Sequence, residues 1–418
     1  DGTATTTLVL RAETYAPPEA SVDDTPAAEV YPPTEPPITY PPVVVTPPYD
    51  GTGLHANTPT LALIMSDGTL KLTGNAGSQY PNWTSINLTV LSGWAGTGIE
   101  AFCANPFSSK YLGSGSEVEG WFVTSTRIMK IDNIGSTPTL IDQKTIGSSL
   151  SGAVDLIFER GVSGWGICIV ERGINNLESY YTTDGGATWT LVTLDTDYDT
   201  TVNSRWRSGL AVSPSIPGKA FASVMDSTGG APNGSFIVTT DYGATWSALT
   251  SPAADQGKYR AGIVHAPYSS VDMATVFYGY RVSASDWRLY RTMGAATVDI
   301  SPLSDGATYG VDNNQNRALA TADDDANTLI AILTNVLNGK RGIFLTRNAL
   351  AAAPTWTELA APVALASNLY TGVYCVGRNT AYFIGANGNI GYWSGGGTIR
   401  SLKGDLSTSA VVVGICGL

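Results

Sequence analysis

One group of residues has the right types to bind an anion. Three arginines each stand just before a short apolar segment: Arg207 before Ser-Gly-Leu, Arg260 before Ala-Gly-Ile and Arg317 before Ala-Leu-Ala. Trp206 and Tyr259 directly precede two of them. A guanidinium group can bind a carboxylate through two parallel hydrogen bonds. If folding brings these residues together, they predict a site for an acidic sugar or an acidic peptide tail; the alternative is ordinary surface ion pairing.

Carboxylates are the second type of residue that could carry chemistry. A glycoside hydrolase needs two of them at a suitable separation. Glu100, Asp155 and Glu159 are possible members of such a pair, but nothing in the sequence selects them. We therefore predict no catalytic residue, and glycoside hydrolysis is the activity we would expect if the protein is an enzyme.

Metal and redox chemistry have little support in the sequence. The chain has only two histidines, His55 and His265, and its cysteines match no zinc-site spacing. Two acidic clusters could hold calcium but lack the pattern of an EF-hand loop, which favours solvated loops; they are Asp195, Asp197 and Asp199, and residues 323–325. We predict no metal and no cofactor.

The elements that must position these residues are visible as an internal repeat. The segments 180–189 and 237–246 both read Thr-x-Asp-x-Gly-x-Thr-Trp. Such a motif suits a tight turn between two strands, because the carboxylate can accept hydrogen bonds from turn amides and glycine allows a positive φ. The matching residues are Thr182, Asp184, Gly186, Thr188, Trp189, Thr239, Asp241, Gly243, Thr245 and Trp246.

This motif resembles the Asp-box, or BNR, repeat of the sialidase-like β-propeller superfamily. The resemblance implies that the boxes are structural and lie on the face opposite the active site. It also implies that the three arginines lie on the active-site face, where sialidases place three arginines around a substrate carboxylate. The Phe-Arg-Ile-Pro motif of sialidases is absent, however, and no nucleophile pair stands in a matching context.

Degenerate copies extend the repeat to seven units, each long enough for four short strands. The seven turns are spaced 48 to 58 residues apart; their turn residues are Gly77, Gly135, Gly186, Gly243, Gly294, Asn348 and Gly396. We predict an all-β, seven-bladed propeller of four-stranded blades. The predicted strands are 209–213, 220–225, 235–239 and 245–249 in the fourth unit, and 262–265, 275–280, 287–291 and 297–300 in the fifth.

The ends of the repeat region predict how the ring closes. The segment 61–65 has the character of a second strand, so the first unit lacks an inner strand, whereas 410–417 has inner-strand character and nothing to pair with. Pairing the two would remove an open edge. Closure would also place Cys103, Cys375 and Cys416 on neighbouring inner strands, where we expect free, buried thiols rather than a disulfide.

The N-terminal region differs in character from the repeats. Residues 3–11 read as one strand without a nearby partner, and residues 16–48 contain eleven of the 23 prolines. Prolines in this density favour an extended spacer. We predict a strand arm at 1–12, a Pro-rich linker at 13–54 and the propeller at 55–418. A disordered leader is the alternative.

Composition narrows the class of function. Charged residues make up 14% of the chain, and the net charge is −12. No basic stripe is present to neutralise nucleic-acid phosphates, and no apolar run is long enough for a membrane helix. We predict a non-catalytic structural or adhesion protein of the cell exterior, cell surface or virion surface, forming homo-oligomers or polymers through residues 1–50. A sialidase-like glycoside hydrolase and a glycan-binding lectin are the alternatives.

Overall fold

The computed structural model shows a ring of β-sheets, all within the compact unit Pro47–Leu418. It describes residues 61–74, 81–104, 119–135, 137–146, 155–159, 164–171, 177–194, 198–199, 209–213, 216–226, 233–249, 263–265, 275–283, 286–293, 296–304, 307–310, 318–322, 325–360, 370–385, 390–402, 410 and 412–417. The predicted arm at 1–12 and linker at 13–54 lie outside these residues.

Seven antiparallel sheets form the blades, and each contains four consecutive strands from the inner to the outer edge. Blades 2 to 4 comprise β4 (Ala101–Ala104), β5 (Gly120–Val123), β6 (Arg127–Asp132) and β7 (Thr139–Thr145); β8 (Asp155–Phe158), β9 (Gly166–Glu171), β10 (Leu177–Thr182) and β11 (Thr190–Thr193); and β13 (Leu210–Val212), β14 (Ala220–Asp226), β15 (Asn233–Thr239) and β16 (Ser247–Leu249).

The remaining complete blades follow the same order. Blades 5 to 7 comprise β17 (Ile263–His265), β18 (Val276–Ser283), β19 (Asp286–Met293) and β20 (Ala296–Asp299); β23 (Leu319–Ala322), β24 (Asp325–Asn335), β25 (Arg341–Thr346) and β26 (Trp356–Glu358); and β27 (Tyr370–Gly377), β28 (Thr380–Gly385), β29 (Ile390–Trp393) and β30 (Arg400–Leu402). The seven-bladed fold and the strand order of the fourth and fifth units are as predicted.

Blade 1 joins strands from both ends of the described chain. Its outer three strands are β1 (Leu61–Met65), β2 (Thr69–Thr73) and β3 (Thr84–Asn87), and its inner strand is β31 (Val412–Gly417), which pairs antiparallel with β1. The predicted closure by the C-terminal segment is therefore confirmed. Apolar residues of β1 and β31 also pack against Tyr382 and Tyr392 of blade 7, which seals the ring.

Burial falls from the second strand of each blade to the outer strand. All residues of β1, β5 and β9 are buried, because each second strand is covered by the blades on both sides. The outer strands β3 and β11 are mostly exposed, and they are rich in threonine and serine. Because these second strands are covered on both faces, their sequences are nearly continuous runs of apolar residues.

Three short strands and one short helix were not predicted. In blade 4, β12 (Tyr198–Asp199) pairs with β14; in blade 6, β21 (Leu303–Ser304) and β22 (Ala307–Gly310) form a hairpin that extends β24. A single 3-10 turn, Leu88–Val90, connects blades 1 and 2. The described part of the chain contains no helix that is both long and apolar enough to cross a membrane.

Candidate functional site

The ring has two faces, and the repeat motifs lie on one of them. The segments 182–189 and 239–246 each connect the third strand of a blade to its outer strand, and we call the face that carries them the repeat-turn face. Inner strands begin at the opposite face, which we call the mouth face. The Thr-x-Asp-x-Gly-x-Thr-Trp turns of blades 3 and 4 belong to the repeat-turn face.

The turn of blade 3 is held by one carboxylate and one hydroxyl. The Thr182 hydroxyl donates to Asp184 Oδ1 at 2.8 Å and accepts from the Gly186 amide at 2.8 Å. Asp184 also accepts from the Thr188 amide at 2.8 Å and from the Thr188 hydroxyl at 2.6 Å. Hydrogen bonds from Thr188 stabilise the charged carboxylate and hold the pKa of Asp184 below its ordinary value.

The turn of blade 4 repeats this network bond for bond. Thr239 donates to Asp241 Oδ1 at 2.8 Å and accepts from the Gly243 amide at 3.0 Å, while the Thr245 amide and hydroxyl donate to Asp241 at 2.9 and 2.6 Å. Burial raises the pKa of Asp241, but the bonds from Thr245 and Thr239 outweigh it, so the net shift is downward. Identical residues at identical spacing therefore fold into one and the same turn.

The tryptophans and glycines of the motif attach each turn to the blade before it. Trp189 is buried, with its ring edge-on to Trp121 and Phe158, both at 5.8 Å between centroids. Gly186 has φ +88°, and a Cβ atom there would overlap the Trp121 ring. Trp246 packs, partly buried, against the core between blades 3 and 4. The contacts of these residues are thus with neighbouring parts of the fold.

Blade 6 builds a related turn with an amide in place of the carboxylate. Asn348 Oδ1 accepts from the Thr346 hydroxyl at 2.8 Å, the Thr355 amide at 2.9 Å and the Thr355 hydroxyl at 3.1 Å. The longer loop is also held from blade 5, because Arg291 donates to the carbonyls of Ala349 and Ala351, both at 2.6 Å. Arg291 is buried, and desolvation lowers its pKa. This contact between blades was not predicted from the sequence.

The predicted ligand-binding residues precede three inner strands of consecutive blades. Arg207 precedes β13, Arg260 precedes β17 and Arg317 precedes β23, and these strands all begin at the mouth face. Trp206 and Tyr259 precede the first two. All five residues lie outside the described part of the chain, so their prediction as a site stays a prediction.

The three carboxylates considered from the sequence do not form one site. Asp155 begins β8 at the mouth face. Its carboxylate accepts two hydrogen bonds, one from the Leu156 amide of the same strand at 2.9 Å and one from the Leu210 amide of blade 4 at 2.9 Å. Glu159 follows the far end of the same strand, four residues away or about 13 Å at the rise of a β-strand. That separation exceeds the 5 to 10 Å or so that glycosidase carboxylates need. Glu100 directly precedes β4, so it lies at the mouth-face end of the inner strand next to β8, on the same face as Asp155 and away from Glu159.

The structure instead places a buried acid, Glu171, near Asp155. Asp155 is paired with Ile169, and Glu171 lies two residues further along β9 on the same face. Such diagonal neighbours have side chains about 7–8 Å apart, and Glu171 is buried. On the other side of blade 3, Tyr180 donates to Glu178 Oε2 at 2.9 Å. Neither pair was found from the sequence: the first depends on strand register, and the second lies within the single strand β10, where residues two apart share a face.

The cysteines and acidic clusters take structural roles where they are described. Cys103, Cys168 and Cys375 are free thiols. Burial, and then the negative charge of Asp155, raise the pKa of Cys168 well above its ordinary value, so this thiol is unreactive. The side chains of Cys416 and His265 lie outside the described residues, as does His55.

Asp325 is the one member of the acidic clusters whose side chain is described. It accepts hydrogen bonds from the Asn327 amide at 3.0 Å and the Thr328 hydroxyl at 2.7 Å, and it pairs with Arg378 at 3.5 Å. These contacts turn its carboxylate towards its own strand and a neighbouring blade. Across the described residues, no three His, Cys, Asp or Glu side chains come together as a metal site.

Comparison with known proteins identifies the fold and nothing finer. No protein-family model and no curated protein matches the chain. A GH74 xyloglucanase from Xanthomonas campestris aligns with a TM-score of 0.51 and 12% identity, covering 84% of this chain and 53% of that chain. This chain therefore spans about half the length of the xyloglucanase that it matches.

Other solved structures align over nearly their whole length. A functionally unknown protein from Desulfotomaculum acetoxidans has a TM-score of 0.53 and 10% identity, covering 86% of this chain and 99% of that chain. A lectin from Burkholderia pseudomallei has a TM-score of 0.46 and 13% identity, covering 83% and 99%. At such low identities the likeness is one of architecture. The chain is a seven-bladed β-propeller.

Proposed function

We propose that this protein is a non-catalytic structural or adhesion propeller, located outside the cell or on a particle surface, that assembles with neighbouring copies through its N-terminal arm. The observation that carries the proposal is the closure of the ring. The four strands of each of the seven blades lie within residues 61–417. A further strand, which the sequence predicts at 3–11, would be additional to these blades, and a strand on a Pro-rich spacer is suited to a neighbour's sheet edge.

The hydrogen bonds of the two repeat turns support placing the chain among the sialidase-like Asp-box propellers. In both turns the conserved spacing of Thr, Asp, Gly and Thr produces the same network. Because that network holds the turn between two strands together, the likeness favours a shared scaffold over a shared activity. The low fraction of charged residues and the acidic net charge are in keeping with an exposed, soluble surface protein.

The test compares the full chain with a chain lacking residues 1–50. We expect the full chain to form oligomers or polymers, measured by light scattering and electron microscopy, and the shortened chain to remain monomeric with an unchanged circular dichroism spectrum. The ring is complete without the deleted residues, so loss of assembly would not reflect unfolding. Equal assembly by the two chains would contradict the role of the arm.

A second candidate function is glycan binding or hydrolysis at the mouth face. The observation that favours it is that two acids, Asp155 and Glu171, share one face of blade 3 at its mouth-face end, because a glycoside hydrolase uses a pair of carboxyl groups. A polysaccharide panel that includes sialosides tests it. Turnover that Glu171→Gln and Arg260→Ala both abolish, with folding intact, would establish a hydrolase, whereas glycan-array binding without turnover would establish a lectin.

A further inference from the structure

The position of Leu61 shows from which face the N-terminal region leaves the propeller. Leu61 is paired with Gly417 of β31 on one side and with Thr73 of β2 on the other. Thr73 is the last residue before the connection to the outer strand of blade 1, so this end of the blade lies on the repeat-turn face. The 60 residues that precede Leu61 are therefore attached at the repeat-turn face, and the mouth face lies on the far side.

Tyr242 is an unusual residue on this same face. It has φ +65°, a left-handed conformation that non-glycine residues adopt at a cost of about 1–2 kcal/mol. The matching position in the first turn is Gly185, with φ +71°. A glycine would adopt this conformation at no such cost, so the backbone of the turn does not require the tyrosine side chain.

The ring of Tyr242 is both rigid and accessible. It packs edge-on against Trp165 at 5.5 Å between centroids, and the Trp165 indole donates to the Tyr242 carbonyl at 2.8 Å. Trp165 is fully buried, yet 37% of Tyr242 remains exposed. An aromatic side chain that is already fixed loses little entropy on binding, and tyrosines of this kind are common anchors in protein interfaces.

We propose that the repeat-turn face contacts a second copy of this chain, with Tyr242 as an anchor residue, and that the mouth face points away from the assembly. This inference rests on the proposed assembly function and adds the surface that carries it. The point of attachment favours this face, because Leu61, where the N-terminal region joins the propeller, lies beside the repeat turns.

The test uses the full chain and two matched variants. Tyr242→Gly copies the residue that the first turn already has, so the turn keeps its backbone, while Leu337→Ser removes a side chain that is 77% exposed at the mouth face. We expect Tyr242→Gly to raise the concentration needed for half-maximal assembly about tenfold, and Leu337→Ser to leave it unchanged. Sedimentation velocity measures both. If Tyr242→Gly destabilises the turn, Tyr242→Asn replaces it, because asparagine tolerates a positive φ.

The outcomes separate this inference from the function on which it rests. If the full chain does not assemble, both are wrong. If deletion of residues 1–50 abolishes assembly but folded Tyr242→Gly and Tyr242→Asn assemble like the wild type, the arm role holds and the repeat-turn face is the wrong surface. Labelling of single cysteines gives an independent check: Ala244→Cys should be protected in the assembly and Val90→Cys should stay reactive, and the reverse would overturn the proposal.

Discussion

The turns of blades 3 and 4 and the turn of blade 6 solve one structural problem with different chemistry. In the first two, both oxygens of a carboxylate, Asp184 or Asp241, accept the hydrogen bonds of the turn. In blade 6 a single amide oxygen, Asn348 Oδ1, accepts three. The turn therefore needs a side-chain oxygen that accepts hydrogen bonds at this position, and it does not need a negative charge. Where the charge is missing, Arg291 of the preceding blade holds the loop.

The largest loss of stability is expected from a substitution that breaks the contact between a charged turn and the preceding blade. A Cβ atom at position 186 would overlap the Trp121 ring, and the residue that carries it would have to adopt φ +88°. We expect Gly186→Ala to lower the free energy of unfolding by about 3 kcal/mol or more. Gly185→Ala is the matched control, because it has a similar φ but open space around it, and about 1 kcal/mol is expected. Equal losses in denaturant unfolding would show that Trp121 does not constrain the turn.

The next effect concerns the uncharged turn. Arg291→Met keeps most of the side-chain volume but removes the donors to the carbonyls of Ala349 and Ala351. Because buried carbonyls would lose charge-assisted hydrogen bonds, we expect a loss of about 2–3 kcal/mol in unfolding free energy. Hydrogen exchange should show the opening confined to the loop of blade 6. An unchanged exchange rate in that loop would mean that Asn348 alone is sufficient.

The smallest loss of stability is expected from a substitution that converts a charged turn into an uncharged one. Asp184→Asn keeps one oxygen acceptor but removes the acceptor of the Thr188 hydroxyl, and we expect a loss of about 1 kcal/mol at pH 7. The pKa of Asp184 is lowered from its ordinary 3.8, so the charged carboxylate adds stability above that pH. This contribution disappears as the pH falls through the lowered folded-state pKa.

The difference in melting temperature between the wild type and Asp184→Asn should consequently shrink as the pH is lowered from 6 to about 2.5. Asn348→Asp is the reverse exchange, and its effect should run in the opposite direction with pH. A difference that stays constant over this range would show that charge plays no part in the first turn.

The sequence was informative wherever the structure repeats. Two near-identical motifs set the length of a unit, and the apolar runs 61–65 and 410–417 left over at the ends predicted how the ring closes. Strand register, which decides that Asp155 and Glu171 share a face, cannot be read from a single strand. The hairpin of β21 and β22 was missed because strands of two and four residues are too short to show a clear periodicity.

Contacts between blades were also beyond prediction from the sequence. Arg291 and the loop it holds belong to different units, and nothing in either segment marks the other. The same applies to Trp121 of the neighbouring blade, whose ring leaves no room for a side chain at position 186. Such contacts depend on how one blade packs on the next, and the repeat motif does not show this.

The pairing of β31 with β1 also has a consequence for biosynthesis. Blade 1 cannot obtain its inner strand until the segment Val412–Gly417 has left the ribosome, because the strand comes from the opposite end of the described chain. During translation the first three strands must wait with an unpaired edge while the other blades emerge and stack. Contacts between residues so distant in sequence form slowly. Closure of the ring must therefore follow the synthesis of all the other blades, and a cell making this protein must keep that waiting edge from pairing with another nascent chain.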